Sequence, residues 1–157
     1  QAILQLWKDS LVDVSYDDSL LRGRWMKMVW NLPFNGISVA MGGLTVDQIV
    51  QDDDLRKLSY QIMGETIAIA NADLERLHGE GGYTPLGKAE MDAMMSLSDG
   101  MGPYRTSTMI DFVERRPMEV KYMFEKPVMI ANSLGVDARH LETIVALIKA
   151  YQRMYSL

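Results

Sequence analysis

From Ser19 onward, apolar residues recur every three or four positions instead of alternating, the spacing of helices with one buried face. Trp25, Met28, Val29, Leu32 and Ile37 predict a first helix over about Ser19–Met41, closed by Gly42-Gly43. Pro33 lies inside it and predicts a kink or a break, because proline removes a backbone donor. Thr45 can cap a short turn through Val50. Asp52-Asp53-Asp54 then opens a long pattern of Leu55, Leu58, Ile62, Ile69 and Leu74. Three adjacent carboxylates at a helix start point in different directions, which favours cap and dipole partners over a metal cluster. His78-Gly79-Glu80-Gly81-Gly82 reads as a flexible turn.

Thr84-Pro85 is expected to open a helix through about Ser98, with Pro85 at the first helical position. Asp99-Gly100-Met101-Gly102-Pro103 is the clearest linker. Ser107–Arg115 predicts a short helix, and Met118–Leu134 another, disturbed by Pro127 and closed by Gly135. Asp137 is expected to cap a last helix ending near Tyr155, with Leu141, Ile144, Val145 and Ile148 facing inward. Only Leu11-Val12-Asp13-Val14 alternates like a strand. The expectation is an all-α fold, six to eight helices in one bundle-like domain.

Composition narrows the function classes. With 157 residues, 48% hydrophobic and 24% charged, the chain is one domain with a real core. Thirteen methionines against three phenylalanines lean toward helix. A net charge of −5 leaves no dense cationic face for phosphate backbones, so nucleic acid is not an expected partner. The absence of cysteine excludes disulfides, thiol catalysis and Cys-ligated metals, and fits a cytoplasmic location. No apolar run approaches the ~20 residues of a membrane span, and the first residues lack a signal peptide's cationic start. Helical periodicity already under way at Gln1, without an initiator methionine, points to a piece of a longer chain.

Candidate chemistry concentrates in two segments. Lys27, Asn31 and Asn35 are spaced i, i+4 and i+8, so they form one stripe about 12 Å long on a helix. An ammonium and two carboxamides in a row offer donors and acceptors suited to a small oxygen-rich ligand. The same spacing describes an ordinary solvated helix face, and spacing alone leaves both readings open. The second segment runs from Thr106-Ser107 past Asp111 to Glu119. Taken alone, it reads first as ordinary capping, with Thr106 or Ser107 at a helix start and Asp111 or Glu119 in a first turn. His78 and His140 stand singly, without ligand-like neighbours, and no metal site is expected. The glycines at 79–82 follow a helix, which is wrong for a phosphate cradle.

Together, the pattern Trp25-x-Lys27-x-x-x-Asn31-x-x-x-Asn35 and the later Ser107-x-x-x-Asp111 with Glu119 resemble the C-terminal domain of the ketopantoate reductase (2-dehydropantoate 2-reductase) family. Within that resemblance, residues 1–18 are the tail end of a preceding nucleotide-binding domain or a linker. Residues 19–157 are the helical substrate-binding and catalytic domain, of the 6-phosphogluconate dehydrogenase C-terminal-like kind. The resemblance implies Lys27 as the general acid that protonates the ketone oxygen during hydride transfer. It implies Asn31 and Asn35 as holders of the substrate's polar groups, Ser107 as the contact near its carboxylate, and Glu119 as a catalytic residue near the cofactor that helps to position Lys27. The family's cofactor is NADPH, and its reaction reduces ketopantoate to pantoate in pantothenate biosynthesis. Trp25 and Trp30 would be the apolar neighbours of Lys27.

This chain departs from the family's usual pattern in three places: Arg115-Arg116 where a glycine is common, Val136-Asp137-Ala138 where Thr-Pro is common, and Pro127. It carries no strand-Gly-x-Gly-x-x-Gly-helix unit, so the NADPH site would be completed by a domain outside these residues. A small 2-keto acid is the expected partner, and a homodimer is left open. The alternatives are a non-catalytic helical binding or dimerisation module, or a reductase of a different 2-keto acid.

Overall fold

The structure, a computed structural model, describes residues 17 and 19–155. The strand-like stretch Leu11–Val14 lies outside them. Among the described residues there are seven α-helices, one π-helical segment and no strand. The helices are α1 (Leu20–Ala40), α2 (Val46–Gln51), α3 (Asp53–His78), α4 (Lys88–Asp99), α5 (Ser107–Val113), α6 (Lys126–Leu134) and α7 (Arg139–Tyr155). The π segment, Lys121–Glu125, runs directly into α6. This is the all-α architecture expected from the periodicity.

The hub is α1. Its N-cap, Ser19, accepts a hydrogen bond from the Arg22 amide at 3.3 Å. Every residue from Leu32 to Val39 is buried, so this half of the helix is enclosed on all sides. It packs against α2, α3, α4, α5, α7 and the π segment. That enclosure explains why Pro33 causes no break: α1 runs through it uninterrupted, and packing outweighs the roughly 3 kcal/mol cost of an interior proline. Gly36 lets α7 approach closely, since a Cβ there would stand 2.6 Å from Cγ2 of Ile144. Gly42 and Gly43 end the helix with φ of +82° and +108°.

The acidic run behaves as a cap. Asp52 accepts from the Leu55 amide at 2.9 Å, and Asp53 and Asp54 sit in the first turn of α3. Two other starts differ from expectation because their partners come from distant helices. Helix α4 begins at Lys88, three residues beyond Pro85. Asn71 bonds both backbone groups of Leu86 at 2.9 Å, and Arg22 bonds the Thr84 carbonyl at 3.0 Å. Residues 84–87 are thereby held out of the helix. Asp137 does not cap α7; it pairs with Arg139 at 3.0 Å. The amides of His140 and Leu141 donate instead to Glu65 of α3, at 3.0 and 2.9 Å, and the His140 ring lies 2.7 Å from the same carboxylate. Glu65→Ala strands two helix-start donors and is expected to cost about 1–3 kcal/mol, read as a lower urea midpoint.

The loop after α4 is held by Arg56, whose guanidinium grips Asp99 through bonds of 2.5 and 2.9 Å. These hydrogen bonds hold the Asp99 carboxyl below its ordinary value of 3.8. A carboxylate with a depressed folded-state value stabilises above its unfolded value and loses that contribution as pH falls through the folded one. Both partners are substantially exposed, so the effect is small, about 0–1 kcal/mol. Asp99→Asn is expected to flatten the decline in urea midpoint between roughly pH 5 and pH 3.

Candidate functional site

A cavity of about 620 Å³ opens between α1, α3, the π segment and α6. From α1 it receives Leu21, Arg24, Trp25, Lys27, Met28 and Asn31, the side chains that three- and four-residue steps bring to one side of a helix. Glu119, Tyr122 and Met123 reach it from the segment that precedes and enters the π turn. Lys126, Pro127 and Ile130 come from α6, and Asp73 from α3. An apolar floor of Trp25, Met28, Met123, Pro127 and Ile130 is therefore edged by cations and one exposed carboxylate.

The floor is fixed from beneath. The indole of Trp25, 4% exposed, donates to Asp73 at 3.1 Å. The other Asp73 oxygen accepts from Arg76 at 2.7 and 3.2 Å. Asp73 is a buried carboxylate committed to structure. It continues the apolar stripe Ile62, Thr66, Ile69 and Ala70 of α3, so its burial was readable from helical spacing.

Lys27 and Glu119, distant in sequence, face this one cavity. Both are exposed, and among the described residues neither has a hydrogen-bond or ion-pair partner on the protein. Glu119 is not in a helical first turn; it lies in the non-helical stretch just before Val120, whose amide bonds the Met118 carbonyl at 2.9 Å. The expected helix Met118–Leu134 starts at Val120 and begins as a π turn, with the Lys126 amide bonding the Lys121 carbonyl. Proline at 127 has no amide to give to the carbonyl four residues back, and wide winding just ahead of it accommodates that loss.

Asn31 lines the cavity, whereas Asn35 and Ser107 do not. Asn35 is 1% exposed. Its amide nitrogen donates to the Asn31 carbonyl at 3.1 Å. Its oxygen accepts from the Thr108 amide at 3.0 Å and the Ser107 hydroxyl at 3.4 Å. Asn35 thus caps α5 from α1, displacing Thr106, whose buried hydroxyl has no partner among the described residues. Ser107 itself is exposed at the start of α5. Trp30 is not beside the Lys27 cavity; its indole donates to Ser98 at 2.9 Å and its ring stacks on Phe34. His78 lies 3.3 Å from the Ser19 hydroxyl. Among the described residues no group of three or more side chains could hold a metal, and no helix is long and apolar enough to cross a membrane.

The turn leading to Glu119 holds one backbone surprise. Arg115 has φ of +57°, the left-handed conformation that explains a preference for glycine there. The cost is offset by its guanidinium, 3.8 Å from the centre of the Tyr155 ring, while Arg116 pairs with Asp111 and Glu114 at 3.1 Å.

Comparison with known proteins places the fold. The family described as ketopantoate reductase PanE/ApbA C terminal matches residues 19–152. A 2-dehydropantoate 2-reductase from Nostoc sp. is 33% identical over 138 residues, covering 88% of this chain and 40% of that protein. The crystal structure of 2-dehydropantoate 2-reductase from Geobacter metallireducens superposes with a TM-score of 0.82 at 33% identity, covering 95% of this chain and 47% of that one. That of Methylococcus capsulatus gives 0.83 at 27% identity, covering 99% and 47%. The chain spans less than half the length of each of these relatives.

Proposed function

Because the chain belongs to the ketopantoate reductase family as its C-terminal domain, we propose that it is the substrate-side half of an NADPH-dependent 2-dehydropantoate 2-reductase. Residues 1–18 then lead in from the nucleotide-binding domain. The supporting observation is the convergence of Lys27, Asn31 and Glu119 on one cavity, with the ammonium and the carboxylate both free of protein partners among the described residues.

Lys27 meets the ketone oxygen. Charge that develops there is stabilised by the ammonium, which then delivers the proton. Asn31 holds a polar group of the substrate, and the exposed Ser107 hydroxyl offers a second contact at the start of α5. Asn35 takes a different part from the one expected: it positions Asn31 and Ser107 from within the core.

The cofactor's pyrophosphate finds no grip here, since the described residues include no strand and no strand–glycine turn–helix. The exposed cavity rim does suit the reacting end, and Glu119 is the residue that would hold it there. When bound, the reduced nicotinamide supplies the hydride. The 157-residue chain alone is therefore expected to show no ketopantoate-dependent NADPH oxidation, followed by the loss of the reduced nicotinamide's absorbance, whereas the full-length protein turns over. Turnover by the isolated chain would overturn this division of labour. Nucleic acid and membrane play no part in this reading; a cytoplasmic homodimer is the assembly it allows.

A further inference from the structure

Among the described residues no side chain of α7 lines the cavity, yet α7 holds the segment that carries Glu119 on both sides. Downstream, Lys149 pairs with Glu125 at the end of the π turn, at 2.5 Å. Upstream, the ring of Tyr155 covers the guanidinium of Arg115, whose carbon lies 3.8 Å from the ring centre. The Phe112 ring stands 5.8 Å from the same carbon and meets Tyr155 edge-on at 6.2 Å. Tyr151 stacks on Tyr155 at 6.0 Å and packs against Phe112 at 5.2 Å, so the aromatic face that receives Arg115 is itself fixed. Further back, α7 is set against α1 where Ile144 crosses Gly36. One helix therefore links the element that carries Lys27 to both approaches to Glu119.

The upstream clasp falls on a strained residue. Among the described residues Arg115 alone of the non-glycines has a positive φ. An L side chain resists that conformation because its Cβ crowds the carbonyl that follows. The attraction between a guanidinium and a ring face is of comparable size and opposes the strain. Arg116 takes the nearby carboxylates of Asp111 and Glu114, which leaves Arg115 to the ring. Without the ring, Arg115 is free to relax toward negative φ, which redirects the chain four residues before Glu119. Buried Met118 and Val120 keep the stretch anchored, so such a shift misaligns Glu119 without unfolding it.

We propose that Tyr155 is a positioning residue: its ring holds Arg115 in the left-handed turn and thereby aims Glu119 into the cavity. The proposal rests on the reductase reading above, in which Glu119 holds the reacting end of the cofactor. Tyr155 is exposed in the last turn of α7, so truncating it leaves the core intact.

The test uses the full-length protein. Tyr155→Ala is expected to raise the KM for NADPH about fivefold, the worth of one cation–π contact, with the urea midpoint unchanged. A second readout needs no turnover: amide hydrogen exchange over residues 114–120, measured without cofactor, is expected to quicken by a similar factor. Tyr155→Phe keeps the ring and should match the parent in both. In an Arg115→Gly background the guanidinium is gone and glycine accepts the left-handed turn, so Tyr155→Ala should there change neither. Parental values for Tyr155→Ala, a fivefold effect that persists in the Arg115→Gly or the Glu119→Gln background, or a lowered urea midpoint with unchanged kinetics would each overturn the proposal. Failure of the unaltered full-length protein to reduce 2-dehydropantoate with NADPH would instead overturn the reductase reading. The exchange measurement would still decide whether Tyr155 holds the turn, so the two failures are distinguishable.

Discussion

Lys27→Ala in the full-length protein is expected to lower kcat for 2-dehydropantoate by about 10²–10⁴-fold, the usual contribution of a general acid. Hydride addition converts a neutral carbonyl into an alkoxide, and without the ammonium that charge must be met by water. Because Lys27 is exposed and supports no other side chain among the described residues, the variant should keep its urea midpoint within about 0.5 kcal/mol of the parent. Lys27→Arg sharpens the test. It preserves a cation at the same place but not a proton that can be given up, so kcat should stay low even where KM recovers. A loss smaller than tenfold on Lys27→Ala would remove Lys27 from the chemistry.

Asn35→Ala is expected to act first on stability. The carboxamide is 1% exposed and satisfies the Thr108 amide, the Ser107 hydroxyl and the Asn31 carbonyl at once. Its removal leaves a buried helix-start donor unpaired and opens a small void, together about 2–4 kcal/mol. Asn35→Asp separates the two bonding directions. It retains an acceptor for Thr108 but sets an oxygen against the Asn31 carbonyl, so it too should destabilise, and Asn31 should then hold substrate less well. A raised KM with an unchanged urea midpoint in Asn35→Ala would restore Asn35 as a direct substrate contact.

Helix positions were legible because burial on one side imposes its period on the sequence. The stripes through Trp25–Ile37, Leu55–Leu74 and Leu141–Ile148 each became a helix. Helix starts were less legible, and for a common reason. Local rules assign each first turn to a nearby side chain, yet α5 is capped by Asn35, α7 by Glu65, and the stretch before α4 is bound by Asn71 and Arg22. Nothing in the local sequence announces a cap that arrives from another helix.

The candidate site was legible only in part. Spacing placed Lys27 and Asn31 on one stripe, and they do share a cavity. Asn35 continues the same stripe, but by that point α1 has entered the core, so the period carries it inward. Glu119 reaches the cavity through tertiary folding, which helical period cannot report.

The wide winding at Lys121–Glu125 gives the approach to α6 one residue more than a regular ladder would hold. Excising one residue there would let the ladder close while turning the chain ahead of it only slightly, because the wide turn spreads one more residue over about the same rotation. Glu119 would then keep its side of the axis, facing the ammonium on α1. The wide turn is thus a slack loop in the winding, taking up a residue that would otherwise throw the two halves of the site out of step.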